Sequence, residues 1–473
     1  MKRRFCADKF CGEKKYSYLC IVNGKEQRQC FWWYNTFKAY LRLVHETLMI
    51  RRRYTIGTEN IPRKGERFFI TCNHQNTAND PLNIVFALPL RWHICALARA
   101  NVFELHSLIT RFLHWIGLLP AFRFGWEGGQ GIERNFSSFN LVAQRINAGQ
   151  PVIVFPEAGH TQGHWIGHFT TGTVRMAFLA AEADGWQHDI KLLPTAHHYS
   201  DYFDVRTDFL WMVDEPISLQ PYYETYREHP NETMRQVRDL LYARIHAMML
   251  DEGKTDYEEK DFLRLSAFNP VMQKISLRDK CVNADLRNAI PLPERLEADK
   301  QFVEKLCSSP HYAEIVTTTK ELMSAEQQLG VTDNDIALPL PSLAVVGWIV
   351  ALVLLLPLWL ISLWPHAVCY AGPPLMLKED KMFRNSYRYI MSVLILYPLA
   401  AIITLAIGIA IGLWWQTMIW IALWLPLGVF SHWYYRHLLR VGRAIRAMRP
   451  HDHINSLRAR LSHLLTTDCL ISK

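Results

Sequence analysis

Two long stretches of the sequence contain no charged residue. No Asp, Glu, Lys or Arg occurs from Ile336 to Leu377, a block of 42 residues, or from Tyr389 to Tyr435, a block of 47. One helical crossing of a bilayer needs about 20 apolar residues, so both blocks exceed what a buried core helix requires. We therefore expect a transmembrane region at 336–435.

The sequence also lacks the features of a secreted or metal-binding protein. Ten cysteines are scattered along the chain, and their only cluster has spacings unlike those of a zinc site: Cys6, Cys11, Cys20 and Cys30. Charged residues interrupt the first thirty positions and leave no apolar core for a signal peptide. We expect a cytoplasmic N-terminal part with free thiols.

The net charge of +8 favours an anionic partner, either a lipid surface or a negatively charged substrate. Nucleic acid is not expected, because no recognition motif accompanies the basic residues.

The remaining pattern divides the chain into five parts. They are an N-terminal extension with an amphipathic helix at 1–52, an α/β domain at 53–251, a polar helical linker at 252–335, the transmembrane region at 336–435, and a basic cytoplasmic tail at 436–473. The helix of the extension is expected at 31–53, with apolar positions at helical spacing and a close on Arg51, Arg52 and Arg53. It fits a helix lying in a membrane interface, and a core-packing helix nearly as well.

The second part alternates strand and helix patterns. This alternation predicts an α/β fold, a mixed sheet flanked by helices, with functional sites at strand C-terminal ends. The expected strands are 53–56, 67–72, 93–98, 152–155, 190–195 and 208–213, and the expected helices lie near 80–89, 103–115, 132–148, 169–184 and 232–251.

The basic segments flanking the apolar blocks suggest a topology. Lys378 to Arg388 and the tail after Tyr435 are both basic, and positive loops stay on the cytoplasmic side. Two hairpins, which make four spans, satisfy this constraint and are favoured, whereas three simple spans do not. The second half of the first block contains Pro365, Pro373 and Pro374, so it is also compatible with a re-entrant or interfacial segment.

Two motifs follow predicted strands. His74 comes just after the run at 67–72, with Asp80 six positions later, and Glu157 follows the run at 152–155. A neutral imidazole can take a proton from an alcohol near pH 7, and a carboxylate on its other nitrogen fixes the tautomer. The alternative is that Asn79 or Asp80 only caps a helix.

Four blocks in order give this region a family resemblance. His74 to Asp80, Leu119 to Arg123, Phe155 to Glu157, and Leu192 to Thr195 resemble the motifs of the glycerol-phosphate acyltransferase superfamily, which includes the lysophospholipid acyltransferases. The resemblance covers about residues 50–250. It also suggests a bacterial inner membrane location.

The resemblance implies direct acyl transfer from a thioester, either acyl-CoA or acyl carrier protein, to a lysolipid hydroxyl. His74 would act as the base and Asp80 would hold it, without an acyl-enzyme, metal or other cofactor. The residues expected to bind substrate are Arg123, Glu157, Asn76, Gly159 and Pro194.

The chain departs from the usual motif in its spacing. Five residues separate His74 from Asp80, where four are usual, and Asn79 occupies the usual aspartate position. A related branch of the superfamily has five. We favour Asp80 over Asn79, because an amide cannot stabilise an imidazolium as an anion does.

The segment after Glu157 bears on the identity of the acceptor. No Lys or Arg occurs from Ala158 through Val174, where the family carries cations that bind phosphate, although Arg123, Arg134 and Arg175 could supply them. Three Gly-His pairs stand there instead, ending in His160, His164 and His168, and His197 and His198 lie further on. They could line an acceptor pocket, bind a metal or lie exposed in a loop. The leading acceptor is 1-acyl-glycerol 3-phosphate, with glycerol 3-phosphate or a lyso-aminolipid as rivals.

A transporter or scaffold with a degenerate acyltransferase domain is the alternative from another class. Intact His74, Asp80, Glu157 and Arg123 argue against it. So does the scarcity of ionisable residues in the apolar blocks, which hold only His366 and His432, because proton and ion pathways usually need such groups.

Overall fold

A computed structural model describes residues 26–104, 106–121, 130–157, 159, 164–251, 270–376 and 381–471. The Cys6 to Cys30 cluster, apart from the backbone of its last member, lies outside these ranges. The described chain forms a mixed eight-stranded sheet with flanking helices, followed by a helical C-terminal half, so the predicted fold class is confirmed.

The sheet has the order β1-β7-β6-β2-β5-β3-β4, with β8 added beside β6. Strands β6, β2, β5, β3 and β4 run parallel, whereas β7 is antiparallel to β6. The strands are β1 (Ile50–Ile56), β2 (Phe68–Cys72), β3 (Cys95–Arg99), β4 (Leu118–Ala121), β5 (Val152–Val154), β6 (Lys191–Tyr199), β7 (Thr207–Val213) and β8 (Ile217–Ser218). Short β4 and β8 were not predicted as strands.

Helices cover both faces of the sheet because its central strands are apolar on both sides. Alternate residues of β2 enter different cores: Phe69 packs against α4, α5 and α7, whereas Phe68 and Ile70 pack toward α1 and α2. The helices of this half are α1 (Glu26–Leu48), α2 (Asn79–Ala87), α3 (Ser107–Trp115), α4 (Gln130–Asn147), α5 (Gly172–Ala183), α6 (Tyr223–Glu228) and α7 (Pro230–Met248).

The arginines expected to close the N-terminal helix lie on a strand instead. Helix α1 ends at Leu48, and Arg51 and Arg53 belong to β1. Arg51 forms a bidentate ion pair with Asp208, with both N–O distances at 2.7 Å. The expectation of a helix to residue 53 was wrong, because β1 pairs with β7 from Ile50 onward.

The C-terminal half is helical throughout its described part. Its helices are α8 (Pro270–Gln273), α9 (Leu277–Val282), α10 (Leu292–Cys307), α11 (Tyr312–Leu329), α12 (Asp333–Ala337), α13 (Ser342–Met376), α14 (Lys381–Met391), α15 (Tyr397–Ala410), α16 (Trp414–Ala422), α17 (Trp424–Ala447) and α18 (Asp452–Thr467). A π-helical turn, Ser392–Leu396, joins α14 to α15. Helix α13 is interrupted at Trp364, whose backbone is extended, just before the prolines of the first apolar block.

The region expected as a basic cytoplasmic tail, 436–473, is helical over most of its described part. Helix α17 continues across residue 435 to Ala447, and α18 packs against α11 through Ile315, Leu322 and Leu461. The apolar region also joins the sheet core, where Tyr389 and Val393 lie in one cluster with Phe68 and Ile70.

Two described helical segments, Ser342–Gly372 and Phe383–Ala410, are long and apolar enough to cross a membrane. The expectation of three or four spans, with two hairpins favoured, remains a prediction.

Gly57 provides a test of the fold. Its φ is 75°, and a Cβ at this position would lie 1.9 Å from the Val213 carbonyl oxygen. Gly57→Ala should lower the free energy of unfolding by about 2 kcal/mol or more. Gly172→Ala is the control, because its nearest neighbour is a side-chain oxygen at 3.5 Å. Thermal unfolding in detergent measures the stability of both variants. Equal melting temperatures for Gly57→Ala and Gly172→Ala would contradict the close approach of Gly57 to the Val213 carbonyl.

Candidate active site

The candidate site lies at the C-terminal end of β2. This strand runs between β5 and β6, so the carboxyl ends of three neighbouring parallel strands meet there. His74 follows β2, Glu157 follows β5, and His197 lies near the end of β6. The sheet order thus brings together residues that are far apart in sequence.

His74 and Asp80 are hydrogen-bonded. His74 Nδ1 lies 2.8 Å from Asp80 Oδ2. The imidazole stacks on the Phe155 ring, with centroids 4.1 Å apart and planes 17° from parallel. The side chain of His74 is 20% exposed whereas that of Asp80 is fully buried. A ring that is oriented by a buried carboxylate and open on one side can exchange a proton with a substrate.

Asp80 is held by several donors. Its Oδ2 also accepts hydrogen bonds from the backbone N–H groups of Gln75 at 2.8 Å and Asn76 at 2.7 Å. Its Oδ1 accepts from the Tyr199 hydroxyl at 2.8 Å and lies 3.0 Å from His197 Nε2. Burial alone would raise the pKa of Asp80, but the charge of His197 and the hydrogen bonds hold it well below its usual range.

His197 extends this network to a thiol. Burial opposes the charged form of its imidazole, but Asp80 outweighs burial and raises the pKa of His197 to about 10. The protonated ring has donors on both nitrogens, and Nδ1 lies 2.9 Å from Cys72 Sγ. Cys72 donates in turn to Asn73 Oδ1 at 3.3 Å. Asp80 therefore has a buried cation on one side and His74 on the other.

A tight turn accommodates the five-residue spacing. Thr77 has a φ of 46°, in the left-handed region, which costs a β-branched residue about 1–3 kcal/mol. Helix α2 begins directly afterwards, and its N-cap, Ala78, supplies no side-chain cap. Asn79 donates to Asn76 Oδ1 at 3.2 Å rather than contacting His74. The carboxylate of Asp80 is hydrogen-bonded to His74, so Asp80 does more than cap helix α2.

Glu157 connects the segment after β2 with the segment that contains Gly167. Its Oε1 accepts from the His74 backbone N–H and its Oε2 from that of Gly167, both at 2.8 Å. A Cβ at Gly167 would lie 2.6 Å from Oε2, so only glycine fits there without displacement. Burial raises the pKa of Glu157. These contacts position His74, while acceptor binding by Glu157 remains a prediction.

The other predicted substrate-binding residues occupy different settings. Asn76 is 2% exposed, and its side-chain oxygen accepts a hydrogen bond from Asn79 within the turn. Pro194 is buried in the middle of β6, opposite Thr71. The strand was expected to end near this proline, but it continues to Tyr199, because Thr195 to Tyr199 pair with β7. Gly159 is half-buried. Arg123 lies outside the described residues.

The Gly-His pairs do not form a helical metal face where they are described. His164 is buried, its ring centroid 4.9 Å from that of His198, while His168 is exposed. His160 lies outside the described residues. Among the residues described, no group of three or more His, Cys, Asp or Glu side chains could hold a metal ion.

His197 and Tyr199, the partners of Asp80 on β6, were not among the predicted site residues. Thr195, His197 and Tyr199 alternate along one face of the strand, which is a period-two signal. If the strand is extended to include its polar residues, this alternation predicts that His197 and Tyr199 lie on the same face of β6. Cys72 and Asn73 gave no comparable signal.

The hydrogen-bonded pair of His74 and Asp80 lies within residues 52–198, which match the family model described as Acyltransferase. This chain therefore contains a domain that matches the Acyltransferase family at residues 52–198, which supports its classification as an acyltransferase enzyme.

Among solved structures, the chain is similar to the 1-acyl-sn-glycerophosphate (LPA) acyltransferase PlsC from Thermotoga maritima. The identity is 15%, the match covers 47% of this chain and 84% of that one, and the TM-score is 0.30. No curated protein matches the sequence.

The ion pair of His197 predicts a pH-dependent stability. The pKa of His197 is about 10 in the folded chain, above its ordinary value of 6.5, so its contribution is complete below pH 6.5 and disappears as the pH rises through 10. His197→Gln should lower the free energy of unfolding by about 3 kcal/mol near pH 6, with a smaller difference at pH 10.

The melting temperatures of wild type and variant at both pH values measure this effect. His188→Gln is the control, because His188 is 55% exposed in its pair with Asp184 and such pairs contribute little. A difference between wild type and His197→Gln that does not change with pH would contradict the ion pair.

Proposed function

We propose that this protein transfers a fatty acyl group from a thioester to the hydroxyl of a lysolipid in membrane lipid biosynthesis. The observation that carries the proposal is the 2.8 Å hydrogen bond between His74 and buried Asp80, at a strand end within the acyltransferase domain. No cofactor takes part, and acyl-CoA or acyl carrier protein is the co-substrate.

His74 is the general base of this reaction. Its Nδ1 is engaged by Asp80, so Nε2 removes the proton from the acceptor hydroxyl as the oxygen attacks the thioester carbonyl. The resulting tetrahedral intermediate expels the thiolate, and the imidazolium returns the proton to the leaving sulfur. No acyl-enzyme forms.

Asp80 supports the base electrostatically. It remains ionised at neutral pH, because its pKa lies well below the usual range. A buried anion 2.8 Å from Nδ1 fixes the tautomer of His74 and stabilises the imidazolium that develops during attack. His197 limits the cost of burying this anion.

The acceptor we favour is 1-acyl-glycerol 3-phosphate. Its phosphate needs fixed cations, and Arg123 is the candidate within the superfamily's second motif block. Glycerol 3-phosphate and a non-phosphate lyso-aminolipid are the rival acceptors, because no Lys or Arg follows Glu157 before Arg175. Glu157, Asn76, Gly159 and Pro194 complete the proposed acceptor site.

The proposed location is the inner membrane of a bacterium. Segments Ser342–Gly372 and Phe383–Ala410 would cross the bilayer, and the acyltransferase domain would face the cytoplasm. A lysolipid already resides in that bilayer, so a site attached to apolar helices has direct access to it.

Parallel assays test the activity and the acceptor. Membranes containing the full chain are incubated with labelled acyl-CoA and, separately, with lysophosphatidic acid, glycerol 3-phosphate or a lyso-aminolipid. We expect product with lysophosphatidic acid. Product with a rival acceptor alone would overturn the preferred substrate, and no product with any acceptor, with either acyl-CoA or acyl carrier protein as donor, would overturn the function.

Substitutions distinguish the two candidates for the carboxylate position. Asp80→Asn should lower kcat by a factor of about 10³ or more, comparable with His74→Ala, because the amide cannot stabilise the imidazolium. Asn79→Ala should retain much of the activity, since Asn79 contacts Asn76 and not His74. The reverse order of activities would contradict the assignment. Full biological function of His74→Ala would instead support a non-catalytic scaffold.

A further inference from the structure

We propose that helix α14, from the C-terminal apolar region, holds the His74–Asp80 turn in its active shape, with Ser386 as a positioning residue. The inference rests on the proposed function, because it assigns a role in the same centre. It extends the catalytic machinery beyond the acyltransferase domain.

The contact joins residues more than 300 positions apart. The hydroxyls of Ser386 and Thr77 are hydrogen-bonded, and Ser386 Oγ also lies 3.5 Å from the Asn76 carbonyl oxygen. Thr77 is 6% exposed and Ser386 is 3% exposed. Because both hydroxyls are buried, the loss of one deprives the other of a hydrogen-bond partner.

Asn385 fixes the helix beside this contact. Its amide donates to the carbonyl oxygens of Asp204 at 2.9 Å and Tyr202 at 3.3 Å. Arg388 donates to Asn385 Oδ1 at 2.7 Å, which orients the amide. The Tyr202 hydroxyl donates to Gln75 Oε1 at 2.8 Å, inside the catalytic turn. Helix α14 therefore contacts the turn directly through Ser386 and indirectly through Tyr202.

Thr77 explains why such support matters. Its φ of 46° is unfavourable for a β-branched residue and must be stabilised by its surroundings. This conformation lets the backbone N–H groups of Gln75 and Asn76 point at Asp80 Oδ2. If Thr77 relaxed to a negative φ, these donors would turn away and the carboxylate would lose its alignment with His74.

The position of α14 links this geometry to the membrane. Phe383–Ala410, one of the two candidate spans, begins within α14, three residues before Ser386. The start of an apolar span thus supports the catalytic turn. Proper docking of that span is then a condition for activity as well as for membrane attachment.

A double-mutant cycle in the full chain tests the proposal. Ser386→Ala and Thr77→Val each remove one hydroxyl, and each should lower kcat about tenfold with little change in the KM for acyl-CoA. If the two residues act through their contact, the double variant should be no slower than either single variant. Ser386→Thr, which keeps the hydroxyl, should restore part of the rate.

The matched control is Ser392→Ala. Ser392 is also buried, but its hydroxyl donates to the Arg388 carbonyl oxygen of its own helix, at 2.5 Å. This variant should stay within twofold of wild type.

The outcomes separate this proposal from the proposed function. If His74→Ala is inactive while Ser386→Ala keeps the wild-type rate, or if the cycle is additive, the role of α14 is wrong and the acyltransferase mechanism remains. If His74→Ala is fully active, the mechanism itself is wrong, whatever the result for Ser386.

Discussion

The burial of the Asp80 carboxylate is the constraint on which this site depends. An uncompensated carboxylate in a protein interior would take up a proton, and it could then no longer orient an imidazole as an anion. Three segments prevent this by supplying donors: the turn provides two backbone N–H groups, β6 provides Tyr199 and His197, and His74 provides its ring N–H. Each donor requires a structural feature. Strand β6 must continue past Pro194, Thr77 must adopt a positive φ, and β2 must lie directly beside β6.

The two strands that flank β2 have different roles. On the β6 side, His197 and Tyr199 determine the charge state and direction of Asp80. On the β5 side, Phe155 stacks on the His74 ring and Glu157 accepts the His74 backbone N–H. One side thus controls the electrostatics of the pair while the other fixes where the imidazole lies. This division follows from the parallel register, which ends all three strands at the same edge.

The sequence alone predicted the elements well and their junctions poorly. Apolar runs identified β2 and β5, and helical periodicity identified α4, α5 and α7 to within a few residues. The end of β6 was missed, because His197, His198 and Tyr199 resemble a polar loop unless their alternation is recognised. The arginines after α1 were misassigned because pairing with β7 is a long-range effect. The contact of α14 with Thr77 could not be predicted, since no local pattern in either segment indicates the other.

The buried positive charge of the described site, on His197, is paired with Asp80. His197 is committed to Asp80, with Cys72 on its other nitrogen, and is fully buried, so it cannot also bind a substrate phosphate. Glu157, which precedes the segment without Lys or Arg, has both oxygens engaged by backbone N–H groups. His197 is therefore not available to a phosphate acceptor, and Arg123 is the cation proposed for that role. The charged groups around the catalytic pair are thus engaged with one another, so a phosphate on the acceptor would have to be bound by other cations.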